Sequence, residues 1–156
     1  MPTPAEQIDA YLAGPAQLRA AVAGMTRDQL TARPVAGKWS TLEVVCHIAD
    51  FEPVYADRMK RVIALDRPLL IAADETLYMK HLVYHDRDVE EELRTVEAVR
   101  AAMGRLLRHV PEAAFGRTGV HSQTGIVAIQ QLLEYVTRHL PHHVQFIAEK
   151  RAALGF

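Results

Sequence analysis

Apolar residues along this chain recur every three or four positions, and no segment sustains the strict alternation typical of a half-buried strand. This spacing indicates amphipathic helices that each bury one face. It predicts four long helices, which begin near Thr3, Ser40, Asp88 and Ala128. The first two starts also carry a capping-box pattern, with Glu three residues after Thr3 and after Ser40. We therefore predict helices and no strands.

The segments between the long helices are short or polar. We expect a helical turn over 26–30, a short helical piece over 74–84 and a polar loop over 116–125, and we expect helix kinks at internal prolines. Four amphipathic helices can bury one shared core. The prediction is an all-α protein, an up-down four-helix bundle with short extra helical segments in its connections. A chain of 156 residues fits a single domain over 1–156.

Composition narrows the classes of function. Hydrophobic residues make up 49% and charged residues 24%, as in ordinary globular proteins. Lys and Arg total 18 against 19 Asp and Glu, so the chain lacks the basic surplus that nucleic-acid binding requires. No apolar run approaches the ~20 residues of a membrane span, and no secretory signal is visible. The single cysteine, Cys46, excludes an internal disulfide and fits a cytoplasmic location.

Histidine is the unusual residue of this chain, with eight copies, three of them within five positions of the last helix. At about 100° per residue, His139 and His143 fall on the apolar side of that helix and His142 towards its polar side. Two imidazoles four residues apart on one face can chelate a metal. They can equally be core residues that hydrogen-bond to neighbours, and periodicity alone leaves both interpretations open.

A catalytic metal site would require a third protein ligand and an open position. The candidates from the sequence are its carboxylates and the histidines outside the triplet: His47, His81, His85, His109 and His121. On the second helix, His47 shares a polar stripe with Glu43, Asp50 and Asp57. Taken alone, that stripe indicates a solvated helix face, so periodicity does not select His47 as a ligand.

Two segments carry a family resemblance. GKWSTLEVVCHIADFE at 37–52 resembles the signature of the DinB-like superfamily, in its YfiT-like branch, where a G-K-W-S entry precedes a helix with E-x-x-x-H. RHLPHHVQFI at 138–147 is similar to the closing H-x-x-H-H-x-x-x-I of that family. Agreement at 14–18, 66–68 and 119–121 extends the resemblance over nearly the whole chain.

The resemblance implies a four-helix bundle with one divalent metal held by His47, His139 and His143. It further implies a small-molecule substrate and a homodimer, while the composition argues against a nucleic-acid or membrane partner. Relatives in this family are described as metal-dependent hydrolases or as transferases and isomerases that use bacillithiol or mycothiol. Three imidazoles suit several divalent metals, of which we expect zinc first and nickel next.

The leading functional hypothesis is a low-molecular-weight-thiol S-transferase, in which the metal activates a thiol as co-substrate. The alternatives are a metal-dependent hydrolase that uses water, and a non-catalytic, metal-stabilised bundle that binds a small molecule or a partner in stress responses. Asp50 is a candidate to orient the second ring nitrogen of His47. We expect Cys46 to be buried and structural, His142 to lie at the pocket rim or surface, and His121 to fringe the pocket.

Overall fold

The structure is a computed structural model that describes residues 2–155. Its six α-helices are α1 (Pro4–Val22), α2 (Arg27–Thr31), α3 (Thr41–Ala64), α4 (Glu75–His81), α5 (Val89–His109) and α6 (Ile129–Ala153). Two 3-10 helices follow α4 and α5, at Tyr84–Asp86 and Glu112–Gly116. Three short strands are β1 (Leu69–Leu70), β2 (Thr118–His121) and β3 (Gly125–Ala128). The predicted all-α four-helix bundle is confirmed, built from α1, α3, α5 and α6.

The predicted helix starts are confirmed by their caps. The hydroxyl of Thr3 accepts from the Glu6 backbone N–H, and that of Ser40 accepts from the Glu43 backbone N–H. Asp88 caps α5 by accepting from two backbone N–H groups of its first turn. These side chains satisfy donors that the first turn of a helix leaves without partners. Helices α1, α3 and α6 each continue through an internal proline, the positions at which kinks are expected.

Three strands form where the sequence predicted none. Strand β2 pairs in parallel with β1 and antiparallel with β3, so 116–125, expected as a polar loop, contains half of a hairpin. Strands of two to four residues are too short for alternation to emerge from the helical pattern around them. Gly125, at φ +78°, starts the returning strand in a conformation that favours glycine.

The helices do not alternate in direction as the up-down expectation assumed. One core cluster joins the first halves of α1 and α6 to the second halves of α3 and α5, and the other cluster joins the opposite halves. Helices α1 and α6 therefore run one way and α3 and α5 the other. The long connection 65–88 gives the chain enough length to return from the end of α3 to the start of α5, which runs parallel to α3.

A polar layer separates the two core clusters. Arg100 is fully buried and donates to Glu52 from Nε at 2.9 Å. It also donates to the carbonyl oxygens of Tyr11 and Val136, at 2.8 and 2.9 Å. Every helix of the bundle thus contributes to one buried network. Gly14 allows this approach, because a Cβ there would lie 2.2 Å from an Arg100 nitrogen.

Candidate metal centre

Three imidazoles meet between α3 and α6. Nε2 of His139 lies 2.9 Å from Nε2 of His47 and 3.1 Å from Nε2 of His143. One ring nitrogen from each histidine lies within 4.8 Å of the others. His47 and His139 are 92 positions apart in the chain, and the antiparallel packing of α3 against α6 brings them into contact.

His47 is fully buried, which corrects the interpretation of its stripe as a solvated face. The stripe was polar, but α2, α4 and the 3-10 helix at 84–86 all pack on α3, and of the four residues of the stripe only Asp57 remains exposed. The rings of Trp39 and Phe51 enclose the imidazole, with centroids 5.4 and 4.6 Å from its own. Periodicity could not detect a cover made by other segments.

Burial keeps all three imidazoles neutral. It lowers the pKa of His47 to about 4, that of His143 to about 3 and that of His139 to about 2. For His139 and His143 the neighbouring histidines lower the pKa further, since a second charge in the cluster would be repelled. Each ring therefore keeps a free lone pair at neutral pH, as a metal ligand must.

The geometry of the cluster fits a divalent metal. Two nitrogens bound at about 2.0–2.1 Å, with angles of 90–110°, lie about 2.9–3.4 Å apart, which brackets both observed contacts. Without a cation, the lone pair or single proton at His139 Nε2 cannot fully satisfy two facing imidazoles. A metal would satisfy all three converging nitrogens at once.

The outer ring nitrogens do not have the partner that the sequence suggested. Nδ1 of His47, His139 and His143 is buried, with no hydrogen-bond partner among residues 2–155. Asp50, the candidate to orient His47, instead makes two 2.9 Å hydrogen bonds with Arg87. Asp50 thus ties α3 to the start of α5, and its charge reaches His47 only through space.

A cavity of about 740 Å³ opens beside the cluster, a size typical of small-molecule sites. His139 and His143 line it, together with His142 at an exposed position and His121 from the end of β2. The expectations for His142 and His121 are therefore confirmed. The cavity also borders α3, α4 and the hairpin, so segments far apart in the sequence enclose it.

The other candidates lie away from this cavity. Cys46 is buried as expected, and its thiol donates to the carbonyl oxygen of Tyr84 at 3.6 Å. Burial raises the pKa of that thiol to about 12, so it is unreactive at neutral pH. His85 contacts Ser40, the imidazole of His109 contacts the Arg105 carbonyl, and His81 is exposed.

Two charged residues at the cavity were missed. Glu75, in the first turn of α4, places Oε2 4.0 Å from Nε2 of His47. Arg58, three turns along α3 from His47, lines the far part of the same cavity. No motif pointed to Glu75, but the spacing of His47, Phe51, Tyr55 and Arg58 on one helix face was visible in the sequence.

Comparison with known proteins agrees with this arrangement. The family model of the DinB superfamily matches residues 10–147. The chain belongs to the DinB superfamily. Among its DinB relatives is a Bacillus subtilis protein provisionally named the metal-dependent hydrolase YfiT, 27% identical over 143 residues, which span 91% of this chain and 80% of that protein. A similarly named protein of Geobacillus kaustophilus is 28% identical over 97% of this chain and 85% of its own length.

Solved structures match as well. YfiT from Bacillus subtilis, described as having an unusual four-helix bundle topology, superimposes with a TM-score of 0.90 at 26% identity, covering 97% of this chain and 87% of that one. A mycothiol-dependent maleylpyruvate isomerase matches with a TM-score of 0.72 at 13% identity, over 93% of this chain and 62% of the isomerase. At that identity the likeness extends to the fold alone. Within residues 2–155, each helix is too short or too polar to span a membrane.

Proposed function

We propose that this chain is a metal-dependent enzyme that activates a low-molecular-weight thiol, such as bacillithiol or mycothiol, for transfer to an electrophilic substrate. The observation that carries the proposal is the convergence of three neutral imidazoles, His47, His139 and His143, beside an open cavity. These residues would hold one divalent metal. When bound, such a metal supplies Lewis acidity, which lowers the pKa of a thiol or of water.

The thiol must come from outside the protein. The single cysteine is buried against Tyr84 and is absent from the cavity lining. The chain therefore has no thiol of its own that could act as the nucleophile at this site. The cavity beside the imidazoles has room for a small molecule next to the position where the metal would bind. This arrangement suits a co-substrate that enters with its own thiol.

Glu75 is the residue placed to take up the proton of the nucleophile. Its Oε2 lies 4.0 Å from His47 Nε2, and the side chain is 62% exposed at the cavity. An accessible carboxylate at that position can accept a proton and pass it to solvent. The aromatic rings of Trp39 and Phe51 pack against the imidazole of His47, with centroids 5.4 and 4.6 Å from its own.

The test uses protein purified without a histidine tag, metal-free and then loaded with zinc or nickel. Conjugation of bacillithiol or mycothiol to a generic electrophile is expected only with metal. His143→Ala should abolish both metal binding and turnover, whereas His109→Ala, at an exposed position away from the cavity, should retain them. Equal rates for loaded and metal-free protein with both thiols would refute the proposal.

A hydrolase that uses water is the second candidate, favoured by the names of the relatives from Bacillus and Geobacillus. It predicts turnover of ester or amide substrates by the metal-loaded protein with no thiol present. Metal analysis of the untagged protein decides between zinc, our first choice, and nickel. Sedimentation of the same preparation tests the homodimer that we include in the proposal.

A further inference from the structure

Arg58 is a buried cation without an anionic partner. Its side chain lies on α3 and the residue is only 7% exposed. Nη2 donates to the carbonyl oxygen of Ile71 at 2.7 Å, but Nε is buried with no acceptor, and no carboxylate within residues 2–155 lies in ion-pair range. The other deeply buried arginine, Arg100, is fully paired with Glu52. Because an unpaired buried charge is costly, its persistence at Arg58 calls for a ligand.

Arg58 lies at the opposite end of the cavity from the metal centre. It follows His47 by 11 residues, which places both on one face of α3, about 20° apart around the helix and about 16 Å apart along it. Phe51 and Tyr55 occupy the same face between them and line the cavity. A molecule lying along this face would contact the three-histidine cluster at one end and a guanidinium at the other.

The surroundings of Arg58 supply no negative charge. Its guanidinium carbon lies 5.3 Å from the centre of the Tyr55 ring, a cation–π contact with an uncharged side chain. Burial, and secondarily the positive charge of Arg58, lower the pKa of His121, so this histidine is neutral at pH 7. Among the lining residues only Glu75 carries a negative charge, and it contacts His47 and makes no ion pair with Arg58.

We propose that Arg58 binds a carboxylate group of the substrate, whose reacting atom then lies at the three-histidine end of the cavity. This inference deepens the proposed function and rests on it. A planar, singly charged carboxylate matches one guanidinium flanked by neutral groups. A doubly charged phosphate would call for further cationic side chains, and Arg58 is the sole arginine or lysine among the residues that line this cavity.

The proposal is tested with ω-carboxyalkyl hydroxamates, in which the hydroxamate binds the metal and a chain of two to six methylenes carries the carboxylate. Their affinities for zinc-loaded protein are compared with those of the corresponding methyl esters. At the optimal length, the acid should bind at least about tenfold more tightly than the ester, as for a charge-assisted hydrogen bond. The optimal length then measures the span between the two ends.

In Arg58→Met, the affinity for the acid should fall to the affinity for the ester. The affinity for the ester should be the same in the variant as in the native protein. That unchanged value shows that the cavity and metal centre are intact. Arg58→Lys keeps the positive charge and should retain part of the preference for the acid over the ester. This second variant keeps the inference testable if Arg58→Met folds poorly. Equal affinities of acid and ester for the native protein at every length would overturn the inference.

Failure of the metal proposal gives a different result, because neither the acid nor the ester would then bind through its hydroxamate. The metal-free protein tests Arg58 by itself through the NMR signal of its Nε–H group, assigned by its loss in Arg58→Lys. Titration with 4-phenylbutyrate should shift that signal, and 4-phenylbutyramide should not. An unmoved signal, or equal shifts with both compounds, would refute carboxylate binding.

Discussion

Acid should destabilise the metal-free protein strongly, because below pH 6.5 its three clustered histidines stay neutral only when the chain is folded. An unfolded histidine titrates near pH 6.5, whereas in the folded chain the pKa values are lowered to about 4, 3 and 2. Below pH 6.5 the unfolded state therefore binds more protons than the folded state. The free energy of unfolding then rises with pH and is lost as the pH falls from 6.5 towards the folded pKa values.

The size of the effect follows from the distance to pH 6.5. Each histidine that stays neutral in the folded state lowers the free energy of unfolding by about 1.4 kcal/mol per pH unit below pH 6.5. At pH 5, about 1.5 units lower, the loss is about 2 kcal/mol per histidine. The three together amount to about 6 kcal/mol, which is comparable to the whole stability of many domains. Glu52, whose pKa burial raises, acts in the opposite direction, so a difference between variants is the cleaner measure.

Urea unfolding followed by circular dichroism, in the presence of a chelator at pH 7 and at pH 5, measures this loss. His143→Gln removes one titrating group and should lose about 4 kcal/mol where the native chain loses about 6. His109→Gln, an exposed histidine on α5, should behave like the native protein. If His143→Gln lost as much stability as the native chain, the assignment of the acid effect to the cluster would be wrong.

Three further outcomes are expected from denaturant or thermal unfolding. Zinc at a hundred times its dissociation constant should stabilise the native protein by about 2.7 kcal/mol and leave His143→Ala unchanged. Arg100→Met should lower the free energy of unfolding by about 3–5 kcal/mol, because it leaves the buried Glu52 without its partner, and adding Glu52→Gln should restore part of that loss. If the effects of the two substitutions were simply additive in the double variant, this explanation would be wrong. Gly14→Ala should also destabilise, by about 1–3 kcal/mol, because its Cβ would displace Arg100, whereas Gly116→Ala, in open space, should not.

The sequence predicted the helices well because their determinants are local. The capping residues Thr3, Ser40 and Asp88 act on backbone groups within the same turn, so each helix start could be identified without tertiary information. The direction of the helices and the hairpin at 118–128 depend instead on the path by which the long connections fold back on the bundle. The hydrophobic pattern of the sequence does not indicate that path.

The candidate site shows the same division. The i, i+4 pair His139 and His143 was visible on a helical wheel, but His47 was indicated by family resemblance against its own polar stripe. Asp50 was expected beside His47 because it lies one turn away, yet Arg87 from another segment binds it. Glu75 was missed for the same reason, since α4 reaches His47 only after the chain has folded.

The separation of the imidazoles along the chain has a consequence for biosynthesis. His47 belongs to the second long helix, whereas His139 and His143 belong to the last one, 92 and 96 positions later. A nascent chain therefore carries one imidazole of the cluster until α6 has left the ribosome. Metal capture by all three residues would then report completion of the bundle, and a chain truncated before α6 would retain only one imidazole of the cluster.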